Sequence, residues 1–114
     1  MDDAVTDTTR LGELEQIVML AVLQCGDDAY GARIRRELQA RADRTISIAT
    51  IYVTLTRLEA KGLVASHFTE PTAARGGKAK RVFRVVAAGL ESLHAARATL
   101  ARMWDGLEGG AHAG

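Results

Sequence analysis

The order of patterns between Ser47 and Val86 constrains the fold of this 114-residue chain more than any other feature. A stretch with helical periodicity is followed by two β-rich runs that flank a basic segment containing Gly76 and Gly77. Apolar side chains at positions i, i+3, i+4, i+7 and i+10 of the helical stretch predict one buried face: Ile48, Ile51, Tyr52, Leu55 and Leu58. The sequence therefore predicts a helix, a strand, a charged hairpin and a second strand, in that order.

The ends of that helix are marked by residues suited to capping. Ser47 is predicted as the N-cap, because its hydroxyl oxygen can accept a hydrogen bond from an amide of the following turn, and Thr45 is the alternative. The helix is expected to run to about Lys61, where Gly62 can adopt the left-handed conformation that often ends a helix. Residues 63–69 and 81–86 then have the composition of strands.

Three further helices are predicted around this segment. The first spans about residues 12–25, and the second spans about residues 29–40 with Asp27 or Asp28 as its cap. The last runs over about residues 88–106.

The composition indicates a single domain with one core. The longest strongly apolar run, residues 17–23, is too short to cross a bilayer, and the acidic start of the chain lacks the basic region of a signal peptide, so we expect a cytoplasmic protein. Cys25 is the only cysteine, which excludes an intrachain disulfide. Its spacing predicts a core residue in preference to a redox sensor.

The formal net charge of +1 averages two oppositely charged regions. Residues 30–84 contain twelve basic and four acidic side chains, a net charge of +8, whereas the remainder carries −7. A chain polarised in this way can attract a polyanion with one part of its surface, although solvated helix faces would give the same count.

The last helix carries large apolar side chains with the spacing of a heptad pattern. These residues, together with Met103, form the predicted dimerisation seam: Leu90, Leu93, Leu100, Met103, Trp104 and Leu107. Arg97 interrupts the seam. Such a helix either folds back on its own domain, on the first helix, or packs against another chain to make a dimer, and an arrangement that uses both is a third option.

Three segments of the sequence form a recognisable pattern: residues 11–15 (Leu-Gly-Glu-Leu-Glu), Tyr30-Gly31, and residues 51–64, which contain Tyr-x-x-Leu-x-Arg-Leu-Glu-x-x-Gly-Leu. In these segments the chain resembles the PadR family of transcriptional regulators, and the resemblance covers about residues 11–107. The chain departs from the family pattern at Val53, where proline is frequent, and at Val86, where threonine is frequent.

The resemblance implies a mainly α fold with a small β-hairpin (α+β). Its expected parts are a flexible tail (1–10), a winged helix-turn-helix DNA-binding domain (11–87), a dimerisation helix (88–107) and a second flexible tail (108–114). The third helix of such a domain enters the major groove of DNA, and the residues expected to face the bases are Ser47, Ala49, Thr50, Val53, Thr54 and Arg57. The wing is expected to follow the phosphate backbone with Arg75, Gly76, Gly77, Lys78, Lys80 and Arg81.

The resemblance further implies a dimeric repressor that binds a palindromic operator in double-stranded DNA. A small apolar effector beside Met103 and Trp104 is an additional expectation, with plain packing of these two side chains as its alternative. No cofactor or metal is expected.

Other functional classes leave weaker signals in the sequence. Catalysis is not expected, because His67, His94 and His112 are scattered and no glycine-rich loop follows a strand and opens a helix. A winged-helix module that contacts another protein without binding DNA is the main alternative. RNA binding is a further one, although aromatic side chains for base stacking are scarce.

Overall fold

The computed structural model describes residues 10–70 and 79–107. Nearly all of the two predicted tails and residues 71–78 of the predicted wing lie outside these described residues. Within them the chain forms four helices and one antiparallel hairpin, in the order α1 (Glu13–Cys25), α2 (Gly31–Ala42), α3 (Ile48–Ala60), β1 (Val64–Phe68), β2 (Arg81–Val85) and α4 (Ala87–Trp104). The predicted fold class, mainly α with a small β-hairpin, is confirmed.

The ends of α3 follow from the residues at its caps. The Ser47 hydroxyl oxygen accepts a hydrogen bond from the Thr50 amide at 3.1 Å, which satisfies one of the free donors of the first turn. At the other end the Leu63 amide donates to the Leu58 carbonyl, and Gly62 has a φ of 79° that glycine adopts without strain. Both predicted caps of α3 are confirmed.

The start of α2 differs from the prediction by two residues. Residues Gly26–Asp28 form a 3-10 turn, and the N-cap is Tyr30 instead of Asp27 or Asp28. The reason is a tertiary contact, because the Ala29 carbonyl accepts a hydrogen bond from the Phe83 amide of β2 at 2.9 Å. This bond holds residue 29 against the hairpin, so the helix begins only after it.

The core lies where α1, α2 and α3 meet the inner face of β2. Its most buried side chains include Val18, Ile34, Ile51, Leu55 and Phe83. Cys25 belongs to this core, as its spacing predicted, and burial raises the pKa of its thiol. The cysteine is therefore protonated and packed at neutral pH.

Helix α4 is joined closely to the hairpin. Val86, the residue between β2 and α4, donates its amide to the Leu63 carbonyl at 3.1 Å. Gly89 lies over the same carbonyl, and a Cβ atom at position 89 would overlap the Leu63 oxygen and come within 2.9 Å of Met19 Cε. The close approach explains why α4 carries a glycine in its first turn.

The predicted dimerisation seam divides into two parts. Leu93 is 7% exposed and packs in the core of its own domain, because it lies on the face of α4 that meets the hairpin and α1. Its expected place in an intersubunit seam is thereby corrected. The remaining members are exposed on this chain: Leu90, Leu100, Met103, Trp104 and Leu107. No helix in the described part of the chain is both long and apolar enough to span a membrane.

Candidate nucleic-acid interface

One face of α3 is fixed by the core and the other is free. Ile51, Leu55 and Leu58 are completely buried, so the helix cannot rotate about its axis without exposing them. The opposite face presents four exposed side chains: Ala49, Thr50, Val53 and Arg57. They form a row of mostly small groups that another molecule can approach closely.

Thr54 does not belong to this row, although the sequence predicted it there. Only 4% of Thr54 is exposed, and its hydroxyl donates a hydrogen bond to the Thr50 carbonyl at 2.8 Å. A threonine can be buried in a helix in this way because its hydroxyl is satisfied within the helix. The expected contact of Thr54 with bases is therefore corrected.

The hydroxyl groups of Ser47 and Thr50, at the start of α3, are hydrogen-bonded to each other. Ser47 Oγ accepts from the Thr50 amide and donates to Thr50 Oγ1 at 3.0 Å. Both residues remain exposed. The pair holds two polar groups at the end of the exposed row, where they can take further hydrogen bonds.

Charged groups cluster at the other end of α3. Lys61 Nζ forms an ion pair with Glu15 Oε2 of α1 at 2.9 Å, and the other oxygen of that carboxylate accepts a hydrogen bond from the Gly12 amide. Burial raises the pKa of Glu15, but the hydrogen bonds from Lys61 and Gly12 and the charges of Lys61 and Arg57 outweigh it and lower the pKa. Glu15 is therefore ionised at neutral pH and ties α1 to the end of α3.

The predicted wing residues have different surroundings. Arg75, Gly76, Gly77 and Lys78 lie outside the described residues. Lys80 is half-buried, with Nζ 4.1 Å from the centre of the Tyr30 ring, a cation–π geometry.

Arg81 was expected to point toward the phosphate backbone, but the structure turns it onto α3. Its Nη2 lies 2.8 Å from Glu59 Oε1, and its Nε donates to Ser66 Oγ at 3.1 Å. Ser66 Oγ in turn donates to the Glu59 carboxylate. The guanidinium also lies over the Phe83 ring. Arg81 therefore fixes the hairpin to α3, because a partly buried carboxylate of α3 attracts it.

Ion pairs reduce the charge that the basic region can offer to a partner. Among the described residues, five of its basic side chains are paired with carboxylates: Arg33 with Asp28, Arg41 with Glu37, Arg44 with Glu13, Lys61 with Glu15, and Arg81 with Glu59. Three of these carboxylates come from outside residues 30–84, so the count of charges in the sequence overstated the local excess. Arg57 and Lys80 remain beside the exposed face of α3 and the cleft described next.

A cleft of about 590 Å³ lies between the start of α2, the start of α3 and the hairpin. Its walls include three aromatic side chains, Tyr30, Tyr52 and Phe68, and the cation of Lys80. We call these four residues the aromatic cleft. Phe68 is 70% exposed, whereas Tyr52 packs on Gly31 and on Phe83 in the core. The sequence singled out Tyr30 only as part of the recognisable Tyr30-Gly31 segment and did not single out Phe68, an aromatic residue at a strand end.

Within residues 10–70 and 79–107, no group of histidine, cysteine and acidic side chains is arranged to hold a metal ion.

Comparison with known proteins points in one direction. The family model described as the transcriptional regulator PadR-like family matches residues 19–95. A PadR family transcriptional regulator from Eggerthella lenta DSM 2243 has 30% sequence identity and a TM-score of 0.63, over 83% of this chain and 82% of that one. A PadR-like transcription factor from Bacteroides fragilis has 24% identity and a TM-score of 0.69, over 90% of this chain and 92% of that one. No curated protein matches the sequence.

Proposed function

Because the chain belongs to the PadR-like family of transcriptional regulators, we propose that it binds operator DNA as a homodimer and represses transcription from the site it covers. The observation that carries this proposal is the exposed row on α3, held in place by a core that buries the opposite face. An α-helix of this kind fits the width of the major groove of B-DNA.

The side chains on this face of α3 are suited to different groups of DNA because their chemistry differs. Val53 is apolar and 51% exposed, which suits contact with the methyl group of thymine. Arg57 can donate two hydrogen bonds to guanine or bind a phosphate, while Ser47 and Thr50 can bond to either. Ala49 leaves room for close approach. Thr54 has no part in this reading because it is buried.

We assign contacts with the phosphate backbone of DNA to the residues of the hairpin beside α3. Lys80 is proposed to bind phosphate, together with Arg75 and Lys78, which lie outside the described residues. Arg81 contributes indirectly, by holding the hairpin against α3 through Glu59.

The proposed dimer uses α4 with support from α1. Leu20 and Leu23 of α1 are exposed beside Leu90 and Leu100 of α4, and these four leucines line a groove of about 430 Å³. Exposed apolar side chains this dense favour association with a second copy. A two-fold axis through α4 would place two α3 helices about 34 Å apart, one turn of DNA, and so favour a palindromic operator.

Release by a small apolar effector is the further part of this proposal. Met103 and Trp104 are 71% and 58% exposed at the end of the seam, where a second copy would create an enclosed apolar site. Quenching of the fluorescence of Trp104 by a bound molecule would reveal such a site.

The proposal is tested by selecting bound fragments from native genomic DNA and measuring their affinity by fluorescence anisotropy over a range of salt concentrations. We expect specific binding that weakens steeply with salt. Arg57→Ala should reduce discrimination between the operator and a scrambled duplex by about tenfold. Arg102→Gln, on the face of α4 opposite the apolar seam, is the control for loss of one positive charge.

Two outcomes would contradict the proposal. Failure of the wild-type protein to bind any duplex at low salt would leave a protein-contact module as the function of the fold. If Arg57→Ala kept the full sequence selectivity of the wild type, Arg57 would not contact bases specifically.

A further inference from the structure

The aromatic cleft adjoins the start of α3, next to the exposed row. Ile48, the first residue of α3, and Tyr52, one turn later, both line the cleft, and Ile48 directly precedes the exposed Ala49. Any long polymer lying along the exposed row therefore passes the mouth of the cleft.

The position of Phe68 in the hairpin keeps its ring at this mouth. Phe68 pairs with Arg81 across the hairpin, and Ser66 pairs with Phe83. Because alternate residues of a strand share a face, Phe68 lies on the face that carries Ser66 toward Glu59 of α3. The ring lines the cleft with Ile48 of the first turn of α3 and is mostly exposed.

The cleft combines an apolar wall with a cation. Lys80 Nζ stands 4.1 Å from the centre of the Tyr30 ring, and Phe68 stands free on the hairpin side. A nucleotide of duplex DNA presents a matching pair of groups, an apolar deoxyribose edge next to a phosphate. Base faces do not fit this role, because they are stacked within the duplex.

We propose that the aromatic cleft is a backbone clamp, in which Phe68 and Tyr30 pack against a deoxyribose and Lys80 binds the adjoining phosphate. The inference rests on the proposed binding of duplex DNA and adds a contact outside the exposed row of α3. It assigns a role to an aromatic ring that packing leaves free. Contacts to sugar and phosphate position a protein without choosing sequence, so the clamp should act equally on all duplexes.

The test compares Phe68→Ala, Phe68→Leu and Lys80→Gln with wild type on the selected operator and on an unrelated duplex. Phe68→Ala should weaken both complexes about fivefold with an unchanged salt slope, since an apolar contact is lost. Phe68→Leu should restore most of the affinity. Lys80→Gln should reduce the salt slope by about one. The matched controls are His67→Ala, the exposed neighbour on the other face of β1, and Arg102→Gln.

The outcomes separate the clamp from the proposed function. If wild type binds no duplex, both proposals fail. If wild type binds and Phe68→Ala binds equally well, the clamp alone is overturned, and a changed salt slope in Lys80→Gln would then mark an ordinary wing lysine. A loss in Phe68→Ala that is confined to the operator would also overturn the clamp, because it would make Phe68 a reader of sequence.

Discussion

At the scale of single residues, Gly89 has the least room for a side chain among the glycines that the structure describes, because it crosses over the Leu63 carbonyl. Gly89→Ala would force a methyl group into that oxygen and against Met19, so α4 would have to move away from the hairpin. We expect a loss of about 3 kcal/mol in the free energy of unfolding, measured by urea denaturation at one protein concentration. Gly12→Ala, where the added methyl group meets open space, is the control. Equal stabilities of the two variants would contradict the close approach.

Glu15 gives stability a dependence on pH. The pKa of Glu15 in the folded protein lies below its ordinary value of 4.5, so the unfolded chain takes up the proton first as the pH falls. The contribution of Glu15 is therefore complete above that value and is lost as the pH falls through the lower pKa of the folded state. Glu15→Gln should cost about 1 kcal/mol at pH 7 and less at pH 3.

The control for this prediction is Glu13→Gln in the same helix. Glu13 is mostly exposed and lies 3.4 Å from Arg44, so its replacement should change stability little at either pH. A cost of Glu15→Gln that stays the same between pH 7 and pH 3 would mean that the charge of Glu15 contributes nothing.

Sequence reasoning was accurate for residues whose local chemistry decides their role. Ser47 caps α3, Gly62 takes a left-handed conformation and Cys25 is buried, each as predicted. It was wrong where a side chain has two ways to be satisfied. Thr54 is buried and bonds to the Thr50 carbonyl instead of facing the bases, and Arg81 pairs with Glu59 instead of pointing toward the phosphate backbone. Spacing alone reveals neither the burial of Thr54 by its neighbours nor the approach of Arg81 to a carboxylate of α3.

At the scale of elements, the N-cap of α4 can be compared with that of α3, where the Ser47 side chain accepts a hydrogen bond. Val86 is the N-cap of α4, with φ and ψ of −87° and 173°, and it offers no side-chain acceptor to the free amides. Val86→Thr keeps the shape of the side chain and adds a hydroxyl that can accept from the first turn. We expect a gain of about 0.5 to 1 kcal/mol in thermal or urea denaturation.

Val86→Ala is the control, because it removes both γ-methyl groups of the valine, one of which threonine keeps, and adds no acceptor. It should be no more stable than wild type. If Val86→Thr gains nothing over wild type, the backbone at residue 86 does not present its side chain to the amides of α4.

The number and order of helices and strands could be read from periodicity, because each buried face repeats along its own element. The boundaries of α2 could not, since the bond from the Phe83 amide to the Ala29 carbonyl delays its start. The aromatic cleft was equally hidden, because it joins Tyr30 and Phe68 from elements far apart in the chain. Local pattern predicts elements well, and tertiary contacts decide their edges and the clefts between them.

At the scale of the whole molecule, the exposed seam on α4 predicts that the chain does not remain a monomer. Trp104→Ala should weaken the dimer by about tenfold or more, because large aromatic side chains dominate association energies. Molar mass from sedimentation equilibrium at micromolar concentration measures this. Glu91→Ala, on the opposite side of α4, is the control. An unchanged dimer in Trp104→Ala would place the interface elsewhere.

A single residue, Val86, separates the hairpin from α4, and its amide is bonded to Leu63. The connection therefore leaves α4 no freedom to shift relative to the hairpin. Inserting one residue there would turn α4 by about 100° and carry its apolar stripe away from any partner. A longer or shorter connection between β2 and α4 would therefore not let this protein adapt to binding sites with a different spacing. Such adaptation has to come from substitutions along α4 or from bending of the bound partner.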